Sequence, residues 1–170
     1  MKTYFWRFTA WSGISLAMVI LLAAAGCVVY PYPAYAPIKP ANVTSLGSNI
    51  YQITVDARAP WVATGIQVKS GQKYKFLADG VWGESPGVVR NADGGMAGIF
   101  GSGYWGVIPR LPGAPWGALV GRVGTARFFI GQSAVIMMPE DGELLLGIND
   151  GDDALGDNYG FQTVTVQLVP

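Results

Sequence analysis

Val164, Val166 and Leu168 alternate with Thr163, Thr165 and Gln167, and Tyr74, Phe76 and Ala78 alternate with Lys73, Lys75 and Leu77. A period of two places such sets on opposite faces of a β-strand. Further strand-like runs cover 50–55, 62–68, 127–130, 134–138 and 143–148, beside 73–81 and 161–169. Beyond the N-terminal segment no stretch keeps a 3.6-residue period for ten residues, and no internal repeat is evident. Many short strands joined by Gly-rich turns predict an all-β chain folded as a β-sandwich.

The beginning of the chain follows different rules. Lys2 and Arg7 precede a twelve-residue apolar core at 14–25, which is short of the roughly twenty residues of a membrane span, and Ala24, Ala25 and Gly26 lead into Cys27. This has the form of a targeting signal, and the small residues before the cysteine resemble a bacterial lipobox. The resemblance implies a signal peptide at 1–26 and lipidation of Cys27, hence anchorage to a membrane. Val28 in place of an acid resembles the sorting pattern for the outer membrane. Residues 28–40 interleave Pro31, Pro33, Pro37 and Pro40 with Tyr30, Tyr32 and Tyr35. Such a stretch is predicted to be an extended tether of roughly 40 Å at about 3.1 Å per residue. Residues 41–170 suit a single domain.

Without the signal, the chain from Cys27 carries nine Lys or Arg and eleven Asp or Glu. The absence of a basic excess argues against nucleic-acid partners. A single cysteine excludes an internal disulfide.

Charge is strongly segregated. From Phe128 to Pro170 there are seven acids and no Lys or Arg, and four of the acids (Asp150, Asp152, Asp153 and Asp157) fall in the stretch Gly147 to Phe161 beside Asn149 and Asn158. Two carboxylates about 4 Å apart repel by roughly 4 kcal/mol at an effective dielectric near 20. Converging acids therefore need a counter-charge that the adjacent chain does not supply. Every candidate donor is a carboxylate, amide or backbone oxygen and the chain has no His, a set suited to calcium rather than to zinc or copper. The spacing is not that of an EF-hand, which needs an acid or amide at Ala154 and Gly at Leu155. A polar turn kept outside by solvation explains the same composition, and the residues alone leave both readings open.

The order of motifs favours the cation. Asn149-Asp150, six residues, then Asp157-Asn158 and Gly160 resemble the metal loop of the bacterial calcium-dependent galactophilic lectins of the PA-IL type. Gly117-Ala118-Leu119-Val120 resembles a strand of that family, and Ala78, Gly80 and Pro86, then Pro139 and Gly142, fit in order over about residues 65–169. The resemblance implies a jelly-roll-like, galactose-binding-domain-like sandwich. It implies a Ca2+ ion held by the side chains of Asp150, Asp157 and Asn158 and by backbone carbonyls of Ala154 and of a residue near Glu84. Galactose-type sugar would then be bridged by the ion and touched by Asp150, Gly151 and Asp157, in a protein able to form homo-oligomers. The family's sugar-contacting His has no counterpart. The Gly- and Pro-rich segment 86–117 holds Trp105, which either stacks on a sugar ring or packs its own loop. A calcium-braced envelope module without sugar is the second reading. An enzyme is not expected, because Glu140, Asp141 and Glu143 lie in a turn between strands and no nucleophile-base set is present.

Overall fold

The computed structural model describes residues 38–95 and 107–170. The ten strands are β1 (Ile38–Pro40), β2 (Asn42–Gly47), β3 (Ile50–Asp56), β4 (Trp61–Val68), β5 (Lys73–Gly83), β6 (Leu119–Val123), β7 (Ala126–Phe129), β8 (Ser133–Met137), β9 (Gly142–Ile148) and β10 (Tyr159–Val169). All seven expected strands are present. Each alternating run became a strand because its apolar positions meet a second sheet: Val164 and Val166 of β10 and Phe76 of β5 face inward and are fully buried.

Two five-stranded sheets result, in the orders β1-β4-β9-β6-β7 and β2-β3-β10-β5-β8. All pairings are antiparallel except β1 with β4. Ile53, Val55, Phe76, Trp82, Val164 and Val166 from one sheet and Val62, Leu119, Leu144, Leu146 and Ile148 from the other form one core. Each such side chain contributes about 1.5–3 kcal/mol by leaving water. The expected all-β sandwich is the observed one.

β6 lacked a visible alternation because the outer face of its sheet is not solvated. Trp61, Val120 and Leu145 form a second, smaller cluster there, against which Ala63 and Leu111 pack. Leu144, Leu145 and Leu146 are consequently all buried, on two different faces. Gly121 interrupts β6 for a separate reason: a β-carbon there would stand 2.2 Å from the Phe128 ring. Ile38–Pro40, expected at the end of the tether, pair with Trp61–Ala63 instead, so strand structure is present ahead of residue 41. The proposed signal 1–26, Cys27, the rest of the tether and Trp105 lie outside the described residues.

Candidate functional site

The loop between β9 and β10 divides its polar side chains into two groups. Asp152, Asp153 and Asp157 are exposed, as a solvated turn requires. Asn149, Asp150 and Asn158 are buried, with no more than 3% exposure, and solvation does not account for them.

Asn149 is fully committed to structure. Its Oδ1 accepts from Leu111 N–H (2.8 Å), and its Nδ2 donates to the carbonyls of Leu111 (3.2 Å), Ala114 (3.2 Å) and Pro115 (3.0 Å). This amide shapes the 111–115 turn. Asn149→Ala is expected to cost about 1–3 kcal/mol, the penalty for stranding buried backbone groups. Hydrogen exchange at the Leu111 amide should accelerate; unchanged exchange would show that the turn holds itself.

Asp150 and Asn158 are only partly satisfied. Asp150 Oδ1 accepts from Gly151 N–H at 2.7 Å, while Oδ2 is buried without a partner. Asn158 Nδ2 donates to the Ala57 carbonyl at 3.0 Å, while Oδ1 is likewise buried without a partner. Burial pushes the Asp150 carboxyl above its ordinary value of 3.8, opposed by the Gly151 N–H, the Asn158 side chain and Arg110, and reinforced by Asp157. The loop thus brings Asp150, Asp157 and Asn158 together. A 3-10 turn at Leu155–Asp157, pinned by buried Leu155, carries the chain between them. Ala154 precedes this turn, its N–H bonded to the Gly151 carbonyl at 3.1 Å. Gly151 itself is buried, and a β-carbon on it would stand 2.3 Å from Val107 Cγ1.

Glu84 lies one residue past the last β5–β10 pair, Gly83 with Tyr159, and so opposite Asn158. Its Oε1 binds Arg90 at 2.6 and 2.7 Å. Its Oε2 is buried and unpartnered, 2.8 Å from where a β-carbon on Gly117 would stand. Among the described residues no three acidic side chains gather as a metal cluster. A cation here must draw on a mixed set of carboxylate, amide and carbonyl oxygens, which calcium accepts. The buried bare acceptors Asp150 Oδ2 and Asn158 Oδ1 fit that requirement.

The expectation that nothing nearby balances the acids needs correcting. Arg110 reaches the loop from the preceding segment: its backbone N–H bonds Asp150 O (3.2 Å), its Nε bonds Asp152 Oδ1 (2.7 Å) and its Nη1 bonds Ile148 O (3.0 Å). Asp152 is thereby paired directly with the guanidinium, while Asp150 feels the same charge without a side-chain bond to it. Arg110 went unnoticed in the sequence, yet it had a signal, being the single charge between Gly94 and Gly121. The acids of the 139–143 turn are engaged too. Glu140 accepts from Thr125 and Ala126, and Asp141 from Ser70 and Lys69.

No family model and no curated protein matches the chain. Among solved structures it matches the EclA N-terminal domain, described as a PllA-like lectin, with a TM-score of 0.55 and 24% identity over 72% of this chain and all of that one. The chain shares the fold of that domain. The match spans that neighbour from end to end.

Proposed function

We propose that this domain binds carbohydrate, of galactose type, through a calcium ion held in the 149–158 loop. The observation that carries the reading is the pair of buried, partnerless oxygens, Asp150 Oδ2 and Asn158 Oδ1, in a fold shared with a lectin domain. Burying such acceptors bare costs about 1–3 kcal/mol each, more for a charged one. A hard cation removes that cost.

Asp150, Asp157 and Asn158 would hold the ion with carbonyls of Ala154 and of the chain near Glu84. When bound, calcium offers coordination positions to sugar hydroxyls. Asp150 and Asp157 would accept hydrogen bonds from those hydroxyls, and Asn158, tied to Ala57, would keep the loop from spreading. Residues 1–40 would anchor the domain to the outer membrane through lipidated Cys27, with homo-oligomers giving several sites per assembly. Glycan-array binding with and without chelator tests the reading, and no glycan retained at saturating calcium would refute it. The burial of Gly151 under Val107 favours the second reading, calcium as a brace without sugar. That reading predicts a calcium-dependent melt and an empty array.

The pH dependence follows from Asp150. Its folded-state pKa lies above the unfolded value, so the folded protein holds the proton more tightly. In the calcium-free protein, stability from this group is therefore present below about 3.8 and lost as pH rises through the higher folded value. Calcium affinity should run the opposite way, falling as acid protonates the carboxylate. Titration calorimetry across this range checks both signs; an affinity that is flat with pH would remove Asp150 from the ligand set.

A further inference from the structure

The outer face of the β1-β4-β9-β6-β7 sheet carries a feature the calcium loop does not use. Arg122 of β6 and Arg127 of β7 are directly opposed in register, an arrangement that like charges ordinarily avoid. Arg110 joins them, and the three guanidinium carbons lie 5.1, 5.5 and 5.9 Å from the Trp61 ring for Arg110, Arg122 and Arg127. Arg127 Nη1 is spent on the Arg110 carbonyl at 2.6 Å. Arg110 is 1% exposed and its Nη2 has no partner, and Arg122 Nε is also buried without one. Residues 94–139 contain these three arginines and no Asp or Glu, so negative charge must come from elsewhere. Asp152 supplies one carboxylate, bonded to Arg110 and acting at longer range on Arg122. Arg122 and Arg127 are part-exposed, so solvent reaches part of the cluster while Arg110 lies buried.

We propose that the Arg110, Arg122 and Arg127 cluster over Trp61 receives the carboxylate or sulfate of an acidic saccharide. A planar guanidinium fork matches a two-oxygen anion in a bidentate manner, and buried unpaired N–H groups are stabilised by any acceptor that reaches them. The saccharide follows from location, and here the proposal rests on the carbohydrate reading. Arg110 is clipped to Ile148, Asp150 and Asp152, so the anion position adjoins the chain that opens the 149–158 loop. Arginines that merely stack on tryptophan would predict no ligand at all.

Two measurements on the purified full chain, Arg122→Gln and Arg127→Gln separate these accounts. In melts at matched ionic strength, low-millimolar sodium sulfate should raise the wild-type Tm above that in sodium chloride, and by more than it raises that of either variant, whose residual shift is the general stabilisation by an excluded anion. Without sulfate, Arg122→Gln should melt at or above wild type, because a like-charge pair is gone; a lower melt in both variants together with an unchanged sulfate shift would make the arginines structural. In calorimetric titrations with calcium in excess, galacturonate should bind wild type roughly tenfold more tightly than galactose, and Arg122→Gln should lose the preference. A wild-type sulfate shift no larger than that of the variants overturns the anion site. A sulfate shift without galacturonate preference overturns the saccharide assignment. If neither sugar binds, the carbohydrate reading falls with that assignment, and the excess of the wild-type sulfate shift over that of the variants decides the anion site.

Discussion

Asp150→Asn is expected to abolish the calcium-dependent rise in melting temperature while leaving the calcium-free melt equal or higher. The asparagine keeps an Oδ1 acceptor for the Gly151 N–H, 2.7 Å away in wild type, so that bond is retained. It removes the charge that burial penalises, which accounts for the calcium-free direction. What disappears is the anionic oxygen without which a divalent ion does not repay its own dehydration. A ligand at a hundredfold excess over Kd stabilises the folded state by about 2.7 kcal/mol, roughly 10 °C for a domain of this size. Scanning calorimetry with calcium and with chelator measures this shift. A shift of the same size in Asp150→Asn would place the ion elsewhere, and an absent shift in wild type would remove it altogether.

The sandwich was legible because a sheet with one wet face writes an alternating pattern, as in β5 and β10. It was illegible where the outer face is covered. In β6, Val120 packs outward beside Trp61 while Leu119 packs inward, and Gly121 yields its place to Phe128; a period of two cannot survive both. β2, wholly exposed along Asn42–Gly47, lacked the opposite signal, since it buries nothing that would mark a face.

The site shows a comparable division. Asp150 and Asn158 stood out through motif order, and the structure places them together with Asp157. Asn149 drew notice as part of the same motif, but its work is architectural, and composition does not distinguish an amide that binds an ion from one that binds a turn. The acidic run looked unbalanced because charge was counted along the chain. Counted in space, Asp152 belongs with Arg110, 42 residues earlier. Within the loop the unbalanced charge contracts to buried Asp150 and the exposed Asp153 and Asp157, which narrows the case for a cation to one buried carboxylate and makes it easier to test.

Arg110→Ala should be the most damaging single substitution outside the main core. Its side chain is fully buried and its partner Asp152 is 30% exposed, so truncation strands a carboxylate that can partly rehydrate. It also removes the bond to Ile148 O and the guanidinium from the Trp61 ring. Breaking a buried charge pair from one side costs about 3–5 kcal/mol, and the exposure of Asp152 places the value near the lower end. For a domain of this size the low-end cost lowers Tm by roughly 12 °C. Arg110→Met with Asp152→Asn should recover much of the loss, because the apolar stem still covers Trp61 and no charge is left alone. Urea denaturation of the single and double variants measures both values. The single variant should also bind calcium more weakly, since the backbone clip from residue 110 to Asp150 O loses the side-chain bonds that hold it in place. An Arg110→Ala protein within about 1 kcal/mol of wild type, a cost typical of an exposed ion pair, would mean that Asp152 finds water as good a partner as the guanidinium and that the loop holds its shape unaided.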